Sequence, residues 1–332
     1  MNATAQKKVV PNKVLVTGAS GLVGVAAIEK FLSAGWEVVG VSRRKPELPS
    51  GRDVEFLSVD LRNEETARAA FEPLTDVTHI AYTALHEKPE LVAGWSSKEQ
   101  IETNNAMLRN VVEPIVRTAP NFQHISILQG TKIYGVHLHP IPIPARERDA
   151  RKDHQNFFFD HEAYVLEMGA RHGFNYTALR PQLVTGPTPG ALNVVPAIGV
   201  YAAIRREKGE LFNFPGGPSF VWEAADADLV ADVMVWAAQS PQAANEAFNI
   251  TNGDVFGGAM CGQPWLKPSV SKPGRTCQRA WQPTSRKTRM CGTRSSRSTI
   301  FACGTYGSWS AKGTSTQTSR SPTAPGKDLG PS

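Results

Sequence analysis

The chain has 332 residues, 41% of them hydrophobic and 20% charged, the composition of an ordinary soluble globular protein. No run reaches the ~18 apolar residues a membrane span needs, and the start, "MNATAQKKVVPNK", has no apolar signal core, so a cytoplasmic protein with no membrane partner is expected. The net charge of +6 does not indicate a basic binding protein: from Gly257 onward twelve Lys and Arg face one acid, Asp328, which leaves the first 256 residues at −5.

After a flexible N-terminus over 1–12, residues 13–256 alternate strand-like and helix-like runs. "KVLVTG" is a short apolar strand, "GLVGVAAIEKFLSAG" an amphipathic helix and "EVVGVSR" a second strand. "VEFLSVD", "VTHIAYTA", "QHISIL", "YTALRP" and "EAFNIT" read as further strands. "NNAMLRNVVEPIVRTA" and "DADLVADVMVWAAQ" read as helices between them. Alternation of this kind predicts an α/β fold, a Rossmann-type doubly wound parallel sheet with right-handed crossovers. The predicted organisation is a nucleotide-binding domain over 13–185 and a small C-terminal substrate lobe over 186–256, interleaved with the last Rossmann elements. A proline-rich loop at 135–156 and the mixed segment 186–223 interrupt the rhythm. Insertions of that kind after strand ends form the ligand crevice of doubly wound folds.

The segment 257–332 differs in kind. It is rich in Arg, Ser, Thr and Gly, almost free of acid, and contains all four cysteines: Cys261, Cys277, Cys291 and Cys303. Their spacing contains no CxxC pair, so neither zinc nor a redox pair is indicated. A disordered basic tail is one reading; a shifted reading frame is the one preferred. "CGTRSSRSTIFA" can be encoded by codons that, read from the last base of the Met290 codon, give "VWDEIVAKHDLR", an amphipathic helix with its acids restored.

The first strand runs into "TGASGLVG". Gly18 permits a sharp turn, Gly21 a close approach of a pyrophosphate, and Gly24 close packing of helix on strand. Thr17, Leu22 and Val23 complete this loop, and the helix N-terminus offers free N–H groups to an anion. At the end of the second strand, where an acid would hold the ribose hydroxyls of NAD, stand Ser42, Arg43 and Arg44. Two guanidinium groups suit a 2′-phosphate, so NADPH is the expected cofactor. By position, Asp60 and Leu61 would meet the adenine, and Thr83 and Ala84 would pass beneath the cofactor. Gln129, Lys132, Pro181 and Val184 end later strands and are also assigned to it.

In order along the chain, "TGASGLVG", "VSRR", "DVTHIAYTA", "NNAMLRNVV", "GTKIYG", "NFFFDHE", "LRPQLVTG", "DADLVADVMVWAA" and "NEAFNITNGDVF" resemble the progesterone 5β-reductase and iridoid synthase-like group of atypical extended short-chain dehydrogenases/reductases, in the NAD-dependent epimerase/dehydratase superfamily. The resemblance spans 13–256 and stops where the composition breaks. It implies an NADPH-dependent reductase that sends hydride to the β-carbon of a small, apolar conjugated enone. It also implies that the lysine of "GTK", here Lys132, and a tyrosine of "NFYY" stabilise the resulting enolate. Lys132 is alternatively the residue that holds the nicotinamide ribose. The tyrosine position falls on Phe159, which has no hydroxyl to donate.

Tyr134 is the substitute donor considered, and Phe157, Phe158, Phe159 and Trp222 are expected to line an apolar pocket. Asp160, His161 and Glu162 are expected to cap the following helix, and His137 and His139 to be solvent-exposed loop residues rather than metal ligands. The aromatic triplet has no basic interleaving, so no nucleic-acid partner is expected; a homodimer is the assembly considered. The alternatives are a non-catalytic NADP-binding homologue and an extended-type epimerase or dehydratase.

Overall fold

The computed structural model describes residues 12–88, 94–149, 154–188, 193–213, 221–257, 289–290 and 299–303. Seven parallel strands form its centre: β1 (Lys13–Thr17), β2 (Glu37–Ser42), β3 (Glu55–Ser58), β4 (His79–Tyr82), β5 (His124–Leu128), β6 (Asn175–Pro181) and β9 (Glu246–Thr251). Their spatial order is β3-β2-β1-β4-β5-β6-β9. The order reverses between β1 and β4, where Val14 pairs with His79 and Thr17 with Tyr82. This is the crevice at which doubly wound sheets bind ligands.

Period-2 side-chain alternation divides each strand between two cores. Val14, Val16 and Val38 face helices α1 (Leu22–Ser33) and α6 (Ala227–Gln239), where they meet Ile28, Phe31, Val230 and Met234. Leu15, Val39 and Val41 face the other way, toward α2 (Glu64–Phe71), α3 (Lys98–Thr118) and α4 (Phe157–His172), with Phe71, Leu108, Val111 and Val165. Burial on both faces accounts for the near-continuous apolar strands in the sequence. Asn63, Asn156 and Asp226 cap α2, α4 and α6 with side-chain oxygens that accept from the first helical turn.

A second, three-stranded sheet joins β7 (Leu183–Thr185), β8 (Val221–Asp226) and β10 (Val255–Gly257), with β8 in the middle. Helix α5 (Val194–Glu207) accompanies it. Two short segments of the tail are strands. β12 (Thr299–Cys303) pairs parallel with β9, and β11 (Arg289–Met290) pairs antiparallel with β12. "TIFAC" is a short β-branched and aromatic run of the kind that extends an open sheet edge. The rest of 258–332, like 1–11, lies outside the described residues. No helix among the described residues is long and apolar enough to cross a membrane.

Candidate active site

The glycine loop lies between β1 and α1. Gly18 has φ +69°, and a Cβ there would meet Thr83 Oγ1 at 2.8 Å and Ala84 N at 2.9 Å. A Cβ on Gly24 would lie 2.1 Å from Gly18 O, so α1 sits directly on the turn. A Cβ on Gly21 would meet only Gly18 O, at 3.1 Å, in otherwise open space. Gly21 N–H donates to Gly18 O at 2.8 Å, and no side chain caps α1. The first-turn N–H groups, at Leu22 and Val23, therefore remain for an anion. Thr83 Oγ1 donates to Thr17 O at 2.6 Å and clips β4 to the turn. The cradle fits the pyrophosphate of a dinucleotide: it is narrow where helix meets strand and open where backbone faces the crevice.

Arg43 and Arg44 stand exposed at the end of β2, with Ser42 Oγ turned back onto Arg44 O. Asp60 is held by Arg62 through both carboxylate oxygens. The Arg62 hydrogen bonds lower its pKa to about 2. Leu61 O accepts from Asn110 Nδ2 at 2.8 Å, which fixes the β3 end against α3.

Beyond β5, Thr131–Tyr134 forms one 3₁₀ turn that presents Lys132. Its carbonyl accepts from Asn156 Nδ2 and His154 Nε2, both at 3.2 Å, so the start of α4 is tied to the lysine turn. The Lys132 ammonium lies 3.6 Å from the centroid of the Trp95 ring. Burial lowers its pKa from 10.5 to about 8, against an opposing pull from Glu87. Among the described residues it has no carboxylate within ion-pair distance.

The three phenylalanines separate. Phe157 and Phe158 are buried with Trp95, Ile133 and Tyr134 in a compact aromatic cluster, so they fill a core and do not line an open pocket as expected. Phe159 is half-buried, packs on the edge of that cluster, and has the His154 ring at 5.3 Å. Successive residues of a helix point about 100° apart, which turns Phe159 away from the side that buries Phe157 and Phe158.

Tyr134 does not offer the free donor expected of it. Its hydroxyl is committed as donor to Asn249 Oδ1 at 2.7 Å and accepts from Arg180 Nη1 at 3.4 Å. Gln129 is likewise committed. Its amide nitrogen donates to Phe158 O, and its oxygen accepts from Arg180 Nε at 2.9 Å, which leaves its backbone as the part that could border a cofactor.

The centre of this network is Arg180, 3% exposed near the end of β6, which also donates to Glu147 O and pairs with Glu162 at 3.0 Å. Glu162 is thus an ion-pair partner rather than a helix cap. His161 is buried and bonded to Asn104 O. The cap is Asn156, which accepts from Phe158 N. Asp160 alone keeps its expected place in the first turn, where its carboxylate accepts from Asn105 Nδ2.

His137 and His139 are half-buried rather than solvated, with His137 stacked edgewise on His154 at 5.5 Å. No group of metal-binding side chains forms among the described residues. Trp222 belongs to the separate three-stranded sheet, opposite Phe256. Pro181 ends β6, where its carbonyl borders Gly130, and Val184 lies in β7. Trp95, Glu87 and Arg180 were not singled out as site residues. Only their long-range contacts reveal them, although a Trp in a turn before a helix is a readable oddity.

The family model for the NAD dependent epimerase/dehydratase family matches residues 14–251. The chain is 34% identical over 262 residues to 3-oxo-Delta(4,5)-steroid 5-beta-reductase of Arabidopsis thaliana. It is 31% identical over 260 residues to (S)-8-oxocitronellyl enol synthase of Antirrhinum majus. Each match covers 73% of this chain and 65% of the relative, so the chain spans less than two thirds of the length of these proteins. Among solved structures, UDP-glucose 4-epimerase of Thermus thermophilus, in complex with NAD, is similar with a TM-score of 0.59 and 21% identity, over 82% of this chain and 94% of that one. That likeness concerns the fold. With a family match that runs from β1 to β9, and a strand order that reverses at the glycine cradle, this chain belongs to the NAD dependent epimerase/dehydratase family.

Proposed function

We propose that the chain binds NADPH and reduces the C=C bond of a small, apolar conjugated carbonyl compound. One observation carries the choice of chemistry. The Lys132 ammonium at the end of β5 lies against a π face with no carboxylate partner among the described residues. Its N–H donors are left for the oxygen on which charge develops. The 34% identical 5-beta-reductase and the 31% identical enol synthase support the same reading.

Bound at the cradle, NADPH would supply the hydride for the β-carbon, and water the proton for the α-carbon. The work left to the chain is electrostatic and geometric. Lys132 stabilises the negative charge that builds on the carbonyl oxygen, in a half-buried position where such charges interact strongly. Phe159 supplies apolar contact but no proton, so the substrate oxygen depends on Lys132. Arg180, Gln129, Glu162 and Tyr134 fix the ends of β5 and β6 and the start of α4, which sets the distance between Lys132 and Phe159. At the adenosine end, Arg43 and Arg44 are the groups for a 2′-phosphate, and their exposure at the β2 end leaves both forks available.

The test is NADPH consumption with progesterone and with cyclohexenone. Enone-dependent consumption is expected, with a loss of about 10²–10³ in Lys132→Met and a gain in Phe159→Tyr, which adds a donor. Tight NADPH binding without turnover, unrescued by Phe159→Tyr, would reject the reading.

A further inference from the structure

An ammonium that must stabilise a transient negative charge has to be held without being neutralised. A carboxylate partner would hold it but would also occupy its N–H groups and cancel its charge. An aromatic face attracts the cation through its quadrupole and leaves the N–H groups free on the far side. Lys132 has the second arrangement, with its nitrogen 3.6 Å from the Trp95 ring centroid.

The ring is a fixed surface. Trp95 is 3% exposed, stacked on Phe157 at 5.1 Å and 28°, and met edge-on by Phe158 at 5.3 Å. Its Nε1–H donates to Glu87 Oε1 at 2.8 Å, which sets the rotation of the indole and places a negative group at its rim. The segment carrying Glu87 is pinned on each side. His86 N–H donates to Asn104 Oδ1 at 2.9 Å, Asn104 Nδ2 returns a bond to His86 O, and Lys88 N–H donates to Gln100 Oε1 at 2.8 Å. On the lysine side, Asn156 and His154 hold the Lys132 carbonyl. Both the lysine turn and the π partner are therefore anchored, to the start of α4 and to α3.

We propose that Trp95, tethered by Glu87, is the seat that positions the Lys132 ammonium for the substrate oxygen. This deepens the reductase reading above and rests on it for the role of Lys132. Trp95 and Glu87 touch no reacting atom; they act through Lys132 and are positioning residues. The aromatic pair Phe157–Phe158 then has a function beyond filling space, since it fixes the plane of the indole.

Two measurements separate this inference from the reading it rests on. The first needs no substrate. Competitive labelling of Lys132 with acetic anhydride across pH, read by mass spectrometry on the full chain with NADP+ bound, reports the ionisation of that one amine. Glu87→Gln removes the carboxylate that favours the charged form, so Lys132 should lose its proton at lower pH in that variant. An unchanged labelling profile would overturn the tether.

The second is the rate of enone-dependent NADPH oxidation. Trp95→Leu should lower kcat about tenfold or more, with the KM for NADPH within about twofold, and Trp95→Phe, which keeps a π face, should recover most of the loss. Equal losses in the Leu and Phe variants, with unchanged thermal melts, would overturn the seat. If Trp95→Leu does not fold, Trp95→Phe and Glu87→Gln still decide: full activity in the first with the labelling shift in the second supports the proposal. A wild-type protein that reduces no enone would reject the reductase reading, and the labelling result alone would then decide the seat.

Discussion

Replacing Gly24 with alanine tests whether the glycine loop is built as described. The added methyl carbon would lie 2.1 Å from Gly18 O, 2.7 Å from Gly18 C and 3.0 Å from Ala19 Cα. All three are backbone atoms of the turn, so no side chain can swing away. Carbon contacts settle near 3.5 Å, so α1 must rise by about 1 Å from the sheet. Ile28 and Phe31 on α1 interdigitate with Val230 and Met234 on α6, so lifting the helix disturbs that core. Forced overpacking costs about 1–3 kcal/mol, and a clash with backbone that cannot swing away belongs at the upper end, about 2–3 kcal/mol, set against about 1 kcal/mol that alanine gains over glycine in a helix interior.

The expected net effect of Gly24→Ala is a loss of about 1–2 kcal/mol in a urea melt, together with weakened NADPH binding. Gly21→Ala is the control. Its methyl meets only Gly18 O at 3.1 Å, and its φ of −87° and ψ of 170° suit any residue. Its stability should change by less than about 1 kcal/mol. The methyl would stand on the open side of the cradle, however, so the Kd for NADPH should rise about tenfold, or ~1.4 kcal/mol. Gly24→Ala as stable as wild type, or both variants losing stability equally, would refute this account of the loop.

Arg180→Leu should destabilise the fold by about 3 kcal/mol, because Glu162 and Gln129 lose their buried partner; a melt within about 0.5 kcal/mol of wild type would contradict the network. The double variant Arg43→Ala, Arg44→Ala should raise the KM for NADPH about tenfold or more while leaving that for NADH nearly unchanged, as loss of two charge-assisted bonds to a 2′-phosphate requires. In the proposed reaction Lys132 acts in its charged form, and burial lowers its pKa to about 8. The rate should therefore be level below that pH and fall as pH rises through it; a rate that climbs across the same range would mean that the neutral amine is the active form.

The geometry of the glycine loop was legible because its signals are local. A strand, three glycines at fixed spacing and a helix are consecutive in the chain, and each glycine's role follows from its own backbone. The place of Arg43 and Arg44 at the end of the second strand could be read for the same reason, since that end falls at a fixed distance from the loop; their pairing with a 2′-phosphate belongs to the proposal.

The reaction half was only partly legible because its contacts are long-range. Trp95 meets Lys132 across 37 positions of sequence, and Tyr134 meets Asn249 across 115. No spacing in the chain shows that Tyr134 gives its proton to Asn249. The misreading of His161 and Glu162 has the same origin. Charged and polar residues at a helix start are ordinarily caps, but here α4 turns His161 toward Asn104 and Glu162 toward Arg180. The one sequence signal that pointed to the true cap was Asn156 itself, a favoured N-cap type directly before the aromatic run. "FFFDHE" looked like a single apolar feature; packing divided it into two core residues and one half-buried at the edge of their cluster.

The fate of the transferred hydrogen tests the central claim most directly. With NADPH carrying deuterium at the transferring position and cyclohexenone as substrate, the account predicts cyclohexanone labelled at the β-carbon. Deuterium at the carbonyl carbon of an allylic alcohol would contradict it, because Lys132 would then be assisting carbonyl reduction rather than supporting a charged oxygen during addition to the C=C bond.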